Sequence, residues 1–425
     1  MTSALATRIA QEYAAVAADL PLAVVSAHER ERAMKTLGSQ GLPIARDENW
    51  KYANLRALER VRFAPAAAPP AAVSAAALPA AVQGYLRYTF IDGVFAAELS
   101  SGTRDAAAAR PSAAHRQVLS IDARFALLND AFANDAAVLD IAAADAHPSC
   151  IEVLFVASAE AVRAASYPRL LVRVGPGAQL NLIERHVSIG SEANFVNAAV
   201  QIDLAAAASM THYRVQEMAA RSTWIDTLSA SVGSQASYRQ HLVHLGALAA
   251  RSTLHVLLAG ERASVQLHAL AAGDRQQVLD AYALIEHAAP HARSEQIFRG
   301  IAAGRARVAF NGKVTVRAGA HGTDSRQSLR GLLAGAEAEI DVRPQLEIHT
   351  DDVRCSHGAT AGKLDDNVLF YLLSRGIDRD TAQQLLKWAF LADVVARIEI
   401  PDLKRSIELA LAGRLDVVKD LKELI

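Results

Sequence analysis

The sequence predicts a mainly β chain with α-helical ends, its middle a stacked solenoid of the β-helix type, and three observations carry that prediction. From Ile151 to Ile348 short alternating runs succeed one another, among them Phe195 to Leu204, Ser264 to Leu270, Val308 to Val316 and Glu339 to Ile348, while helical periodicity stays weak. Several runs follow a glycine-led turn ending in alanine, at Gly175 to Ala178, Gly233 to Ala236, Gly260 to Ala263 and Gly335 to Ala338. The first three starts fit a rung of roughly 27 to 30 residues. Helical segments lie on both sides, as a solenoid needs, because its open ends would otherwise pair with other chains. A large β-sandwich is the alternative architecture.

In chain order, Leu5, Ile9, Tyr13, Val16 and Leu20 share one helical face that Pro21 ends. Ser26 and Glu29 have capping-box spacing for a second helix, with Gly38 at its exit. Trp50 and Tyr52 sit among charges and are expected to pack flat against a neighbouring unit. From Ala64 to Val82 the composition collapses to alanine, proline and valine, which reads as a linker. Asp92-Gly93 turns a hairpin between Tyr85 and Ser100, and Gly102 to Gln117 reads as a loop. Asp122 is expected to cap a short helix with Phe125, Leu128 and Phe132 on one face.

After the strands, Asp365 or Asp366 caps a helix that Gly376 ends, and Asp378 caps another with Ala382, Leu385, Leu386, Ala389 and Phe390 in one stripe. Pro401 opens a third, carrying Leu403, Ile407 and Leu411 before Gly413. The expected division is a helical unit at 1–63, a linker at 64–84, a β core at 85–363 that starts with the hairpin and short helix, and a helical tail at 364–425.

Composition narrows the function. At 425 residues the chain exceeds the usual size of a single core. Its 44 basic and 45 acidic residues leave a formal charge of −1, which gives no electrostatic footprint for nucleic acid or an anionic membrane. Two cysteines are too few for a disulfide framework, the start lacks a secretory signal, and no apolar run is long enough to span a bilayer, so a cytoplasmic protein is expected. The glycines around Gly300, Gly304 and Gly312-Lys313 lack phosphate-loop spacing, and no G-x-S-x-G nucleophile elbow occurs.

The chemistry concentrates between Arg343 and Gly376. On a strand, Cys355 and His357 would face the same side with Cα atoms roughly 6.6 Å apart. A thiolate and a neutral imidazole suit zinc or an iron-sulfur species, but a closed site needs about two more ligands. Isolated, such a pair is more often structural. His349, Asp351 and Asp352 could extend it, although acidic turns commonly serve solvation or capping. Cys150 has no neighbouring ligand. His255 and His268 could stack on adjacent rungs, although isolated histidines on strands are mostly surface or satisfied core residues.

FNGKVTVRAGAHGTDSRQSLRGLL and RPQLEIHTDDVRCSHGATAGKLDDNVLFYLLSRGI closely resemble the SufB/SufD family of the SUF iron-sulfur cluster assembly machinery. Weaker similarity covers ENWKYANL, IDGVF and FALLNDAF. Gly358, where the SufB side of the family has glutamate, makes the SufD side the better match; Ala320-His321-Gly322 and Leu329-Arg330-Gly331 depart from it. The resemblance implies a right-handed parallel β-helix between helical domains and a non-catalytic scaffold role. It implies pairing with SufB, binding of the SufC ATPase, and indirect contact with a cysteine desulfurase; alone, the chain could form a homodimer. Cys355 and His357 would contribute to a transient iron-sulfur cluster, or to iron and sulfur, shared with SufB. ATP would bind SufC and not this chain, and flavin binding by the whole complex is left open. The SufC-binding set would be Asp366, Leu369, Phe370, Tyr371, Arg375, Gly376 and Phe390. The competing readings are a β-helix polysaccharide lyase or hydrolase, which needs a ladder of carboxylates that the sequence lacks, and a self-associating structural solenoid.

Overall fold

The computed structural model describes residues 4–65, 73–102, 122–142, 149–158 and 165–415. Residues 103–117 of the expected loop and 66–72 of the 64–82 linker lie outside them. Two parallel sheets face each other. In spatial order the first runs through Ala137–Ile141, Arg169–Val174, Phe195–Leu204, Thr223–Val232, Ala249–Leu258, Val278–His287, Arg307–Val316 and Glu339–Ile348. The second is 10-stranded and runs through Val94–Phe95, Leu86–Ile91, Ser149–Ala157, Gln179–Ser188, Ser209–Glu217, Ser237–His244, Ser264–Gly273, Arg293–Ala302, Thr323–Leu333 and Val353–Gly362. The chain alternates between the sheets, one strand in each per turn, which is a parallel β-solenoid. Among the described residues only the hairpin at Asp92-Gly93 pairs antiparallel, with both turn residues at positive φ (49° and 87°).

The rung length follows from the strands and corners together. In-register partners such as Ala249 and Val278, or Val278 and Arg307, stack without slippage because every second side chain enters the shared core. That core is a column of Leu228, Leu254, Leu267, Ile285, Phe298, Phe310 and their neighbours. Corners bring backbone onto backbone. A Cβ at Gly260 would lie 2.0 Å from the Ser234 amide nitrogen, and the corner positions Ala207, Gln235, Arg262 and His291 all adopt φ near +60°. Gly175, Gly233 and Gly260 turn from the first sheet to the second, whereas Gly335 turns the opposite way, so the fourth expected repeat start belongs to a different corner.

Among the described residues six α-helices flank the sheets. Helix α1 is Ala4–Val16, α2 is Ala27–Gln40 and α3 is Arg124–Phe132. Ser26 and Glu29 form the expected capping box, but α2 runs through Gly38 and ends at Gly41, whose φ of 71° suits the exit. The N-cap position of α3 is Ala123, and Asp122 serves the helix start from one residue further out: its carboxylate accepts from the Arg124 backbone N–H at 3.1 Å, as well as from the Trp50 indole N–H at 2.9 Å and the Arg124 guanidinium. Trp50 is buried against Phe125, with the Arg251 guanidinium 4.5 Å from its ring. The aromatics thus clamp the N-terminal helices to the outer face of the first sheet.

Helix α4 is Asp366–Ser374, α5 is Arg379–Val395 and α6 is Pro401–Arg414. Asp365 is the α4 cap, Gly376 follows its end at φ 85°, and Asp378 caps α5. The buried face of α5 is Ala382, Leu391, Val394 and Val395; Leu385 and Phe390 are half-buried and Ala389 is exposed, so the expected stripe is displaced toward the helix end. Helix α6 continues through Gly413. These helices cover Val215, Val243, Leu270 and Ile297 on the outer face of the second sheet, and Arg299 donates to Asp393 at 2.7 Å.

His255 and His268 do not stack, because they lie in opposite sheets: His255 sits 3.0 Å from Glu286, and His268 packs beside His241 with the rings tilted and their centroids 5.0 Å apart. Burial pulls His241 and His244 down to about 3 and His287 to about 4, from 6.5. These rings are neutral when folded, so the stability they contribute is complete above the unfolded value and is lost as pH falls from 6.5 through the folded values. Each subtracts about 1.4 kcal/mol per pH unit within that window. Urea midpoints measured from pH 7.5 down to pH 4.5 are expected to fall continuously, and His244→Gln should flatten the slope.

Candidate functional site

The solenoid ends on one bare rung. Strands Glu339–Ile348 and Val353–Gly362 are the last members of their sheets, and none of their residues is fully buried. The strand register explains where their side chains go. Buried Thr323, Ser325, Gln327 and Leu329 point into the lumen, and their in-register partners are Val353, Cys355, His357 and Ala359. Cys355 and His357 therefore occupy successive inward positions at the open mouth, facing the strand that carries Val342 and Leu346.

Cys355 is half-buried and packs against the core, whereas His357 is exposed. Burial, with the nearby Asp324 carboxylate, raises the Cys355 thiol above its usual value. A metal or sulfur species must then displace its proton. The upstream residues do not join the pair: His349 lies 3.0 Å from Glu347, and the Asp352 carbonyl accepts from the Gly322 amide. Among the described residues no group of three or more His, Cys, Asp or Glu side chains is spaced to hold a metal ion. Geometrically the pair is half a site.

The helical tail divides the second residue set. Phe370 is 72% and Tyr371 55% exposed, with the Arg375 guanidinium 5.1 Å from the Tyr371 ring, and Val368 adds to the same patch. Asp366 and Gly376 are exposed at the two ends of α4. Leu369 is buried and Phe390 half-buried, so these two brace the tail and present little surface.

Deep in the lumen lies a charged cluster that periodicity did not single out. Glu184, Arg214 and Asp226 are inward and buried; Arg214 donates to Glu184 at 2.9 Å and to Asp226 at 2.7 Å. Burial alone would raise Glu184, but the Arg214 charge and contacts from His186 (2.7 Å) and His212 (3.0 Å) hold it well below the carboxylate range. Asp226 has one hydroxyl donor, Ser252, in addition to Arg214, and burial raises it. The cue in the sequence is weak: only Asp226 stands at an alternating position between apolar residues, Trp224 and Leu228, whereas Arg214 lies between His212 and Gln216.

A family model described as the SUF system FeS cluster assembly, SufBD core domain, matches residues 155–390. That span is more than half of the chain. The protein belongs to the SufBD family. It is similar to an iron-sulfur cluster assembly SufBD family protein of Synechocystis, 33% identical over 89% of this chain and 88% of that one. It is also similar to the iron-sulfur cluster assembly protein SufD of Escherichia coli, 29% identical over 91% of this chain and 92% of that one. The matched core covers the lumen cluster, the bare rung with Cys355 and His357, and the start of the helical tail, so this SufBD chain carries its candidate site inside the shared domain.

Proposed function

We propose that this SufBD chain is a non-catalytic, SufD-type scaffold of iron-sulfur cluster assembly, active in the cytoplasm. Its bare rung would pair with a SufB-type subunit, and its tail would bind a SufC-type ATPase. The observation that carries the reading is the half-site at the mouth. Two soft ligands stand on an unpaired sheet edge, where another chain can add a strand and its own ligands together. A nascent cluster, or its iron and sulfur, is the cargo of that composite site, and a site split between subunits can release what it holds when the subunits shift. ATP belongs to the SufC-type partner. No helix of the described residues is long and apolar enough to cross a membrane.

The exposed patch of Val368, Phe370, Tyr371 and Arg375 supplies the surface for the ATPase, and the segment from Asp366 to Gly376 would transmit its movement, since only a few residues separate it from the last strand. Arg375→Glu reverses the charge over the Tyr371 ring without touching a buried contact. It is expected to weaken retention of the ATPase on the tagged chain by about tenfold, equal to roughly 1.4 kcal/mol, and to lower ATP-stimulated cluster assembly. Co-expression with SufB-type and SufC-type subunits tests the whole reading: one stable complex is expected, and a monomer that ignores both partners would overturn it.

A further inference from the structure

We propose that Gln327 is a positioning residue for His357, accepting one imidazole N–H so that the other ring nitrogen is presented at the mouth of the solenoid. This rests on the reading of Cys355 and His357 as half of a shared site. Gln327 stands directly beneath His357 in the strand register, one rung or about 4.8 Å away. It is 4% exposed, and its amide nitrogen donates to the Gly312 carbonyl at 2.9 Å, which fixes the orientation of the amide. Its Oε1 is buried with no partner among the described residues.

Glycine at 312 makes this arrangement fit. A Cβ there would lie 2.5 Å from Gln296 Oε1 and 3.1 Å from Gln327 Nε2, so a larger residue would push at least the Gln296 amide from its present place. A buried acceptor without a partner costs about 1–3 kcal/mol; one rung inward neither amide atom of Gln296 is paired among the described residues either, so this lumen column holds unmet hydrogen-bonding capacity at two levels, and Gln327 is the level that borders the mouth. Packing does not demand the amide, because Leu267 fills the same lumen column two rungs below Gln327. The next residue outward in that column is His357, whose ring makes no hydrogen bond among the described residues. An imidazole that ligates a metal through one nitrogen carries its proton on the other, and an acceptor for that proton fixes the tautomer and the ring plane.

Cobalt(II) titration of the co-purified complex against a competing chelator tests this, with the thiolate-to-cobalt absorption band as readout. Gln327→Leu is expected to weaken cobalt binding by about 10- to 100-fold while leaving subunit co-purification intact, and Gln327→Glu, which keeps an acceptor, is expected to restore it. Should the leucine variant fail to assemble, Gln327→Asn, which withdraws the carbonyl by one methylene, should show the same weakening. Parent-like binding in Gln327→Leu, alongside weakened binding in His357→Ala, would overturn the positioning role and leave the half-site standing. An unchanged titration in His357→Ala would remove the half-site reading and this inference with it. Equal weakening by leucine and glutamate would mark the residue as merely structural and also overturn the proposal.

Discussion

Replacing Arg214 with methionine is expected to destabilise the solenoid by about 3–5 kcal/mol, because it strands two buried carboxylates in the lumen. Glu184 and Asp226 are both 0% exposed and share this one guanidinium. Without it, Glu184 keeps only His186 and His212, and burial already lowers His212, which opposes the charge that would neutralise it. Protonating the carboxylates relieves part of the penalty, so the loss should be larger at pH 8 than at pH 5.5. The sign is set by Glu184: held well below its ordinary value in the parent, it contributes stability present above the unfolded carboxylate value, and the variant forfeits that contribution. Urea midpoints at the two pH values measure it. Replacing all three charges with apolar residues of similar volume should recover most of the loss, since a packed apolar column replaces a buried ion triad at little net cost. A neutral Arg214→Met at pH 8 would mean that the cluster is not ionised.

The contrast between this cluster and the rest of the lumen shows what the chain reveals on reading. Phe195 to Leu204 and Glu339 to Ile348 were legible as strands to the residue, because alternation is dense and the turns on either side are sharp. Thr223–Val232 and Arg293–Ala302 are harder to see: they are buried on both faces, so Asp226 and Arg299 interrupt the apolar pattern where tertiary pairing compensates them, and Gln296 interrupts it with neither amide atom paired among the described residues. Solenoid corners are visible where a glycine leads them, as at Gly260 to Ala263, whose positive φ is carried by Arg262, and hidden where none does, as at Ala205 to Ala208, where Ala207 takes the positive φ. Helix starts are legible from Ser26, Asp365 and Asp378; of the helix ends Gly376 is legible, whereas Gly38 and Gly413 mislead because they are tolerated inside helices held by packing. Cys355 and His357 were legible as a pair, and their place at the open mouth required the register with Ser325 and Gln327.

Cys355→Ala is the substitution expected to affect assembly most while disturbing the fold least. The thiol sits on the outermost strand, half-buried, with no strand beyond it, so its removal opens no enclosed cavity and should cost no more than about 1 kcal/mol. Subunit co-purification should persist. Cluster formation by the reconstituted complex, followed by its visible absorption, should fall by on the order of tenfold or more, since a thiolate is the stronger of the two soft ligands the chain offers. Cys355→Ser should fail equally, because a hydroxyl of similar size does not ionise at neutral pH. His357→Ala should lose less, and Cys150→Ala, far from the mouth on strand Ser149–Ala157, should lose nothing. The raised Cys355 thiol adds a pH signature: the group that must ionise is mostly protonated at neutral pH, so the rate of metal capture by the parent should climb as pH rises toward the thiol value. The alanine variant lacks the group that produces that climb, and its residual capture should be flat over the same range. A full rate in Cys355→Ala with an unchanged pH profile would leave the scaffold role intact and remove this thiol from the site.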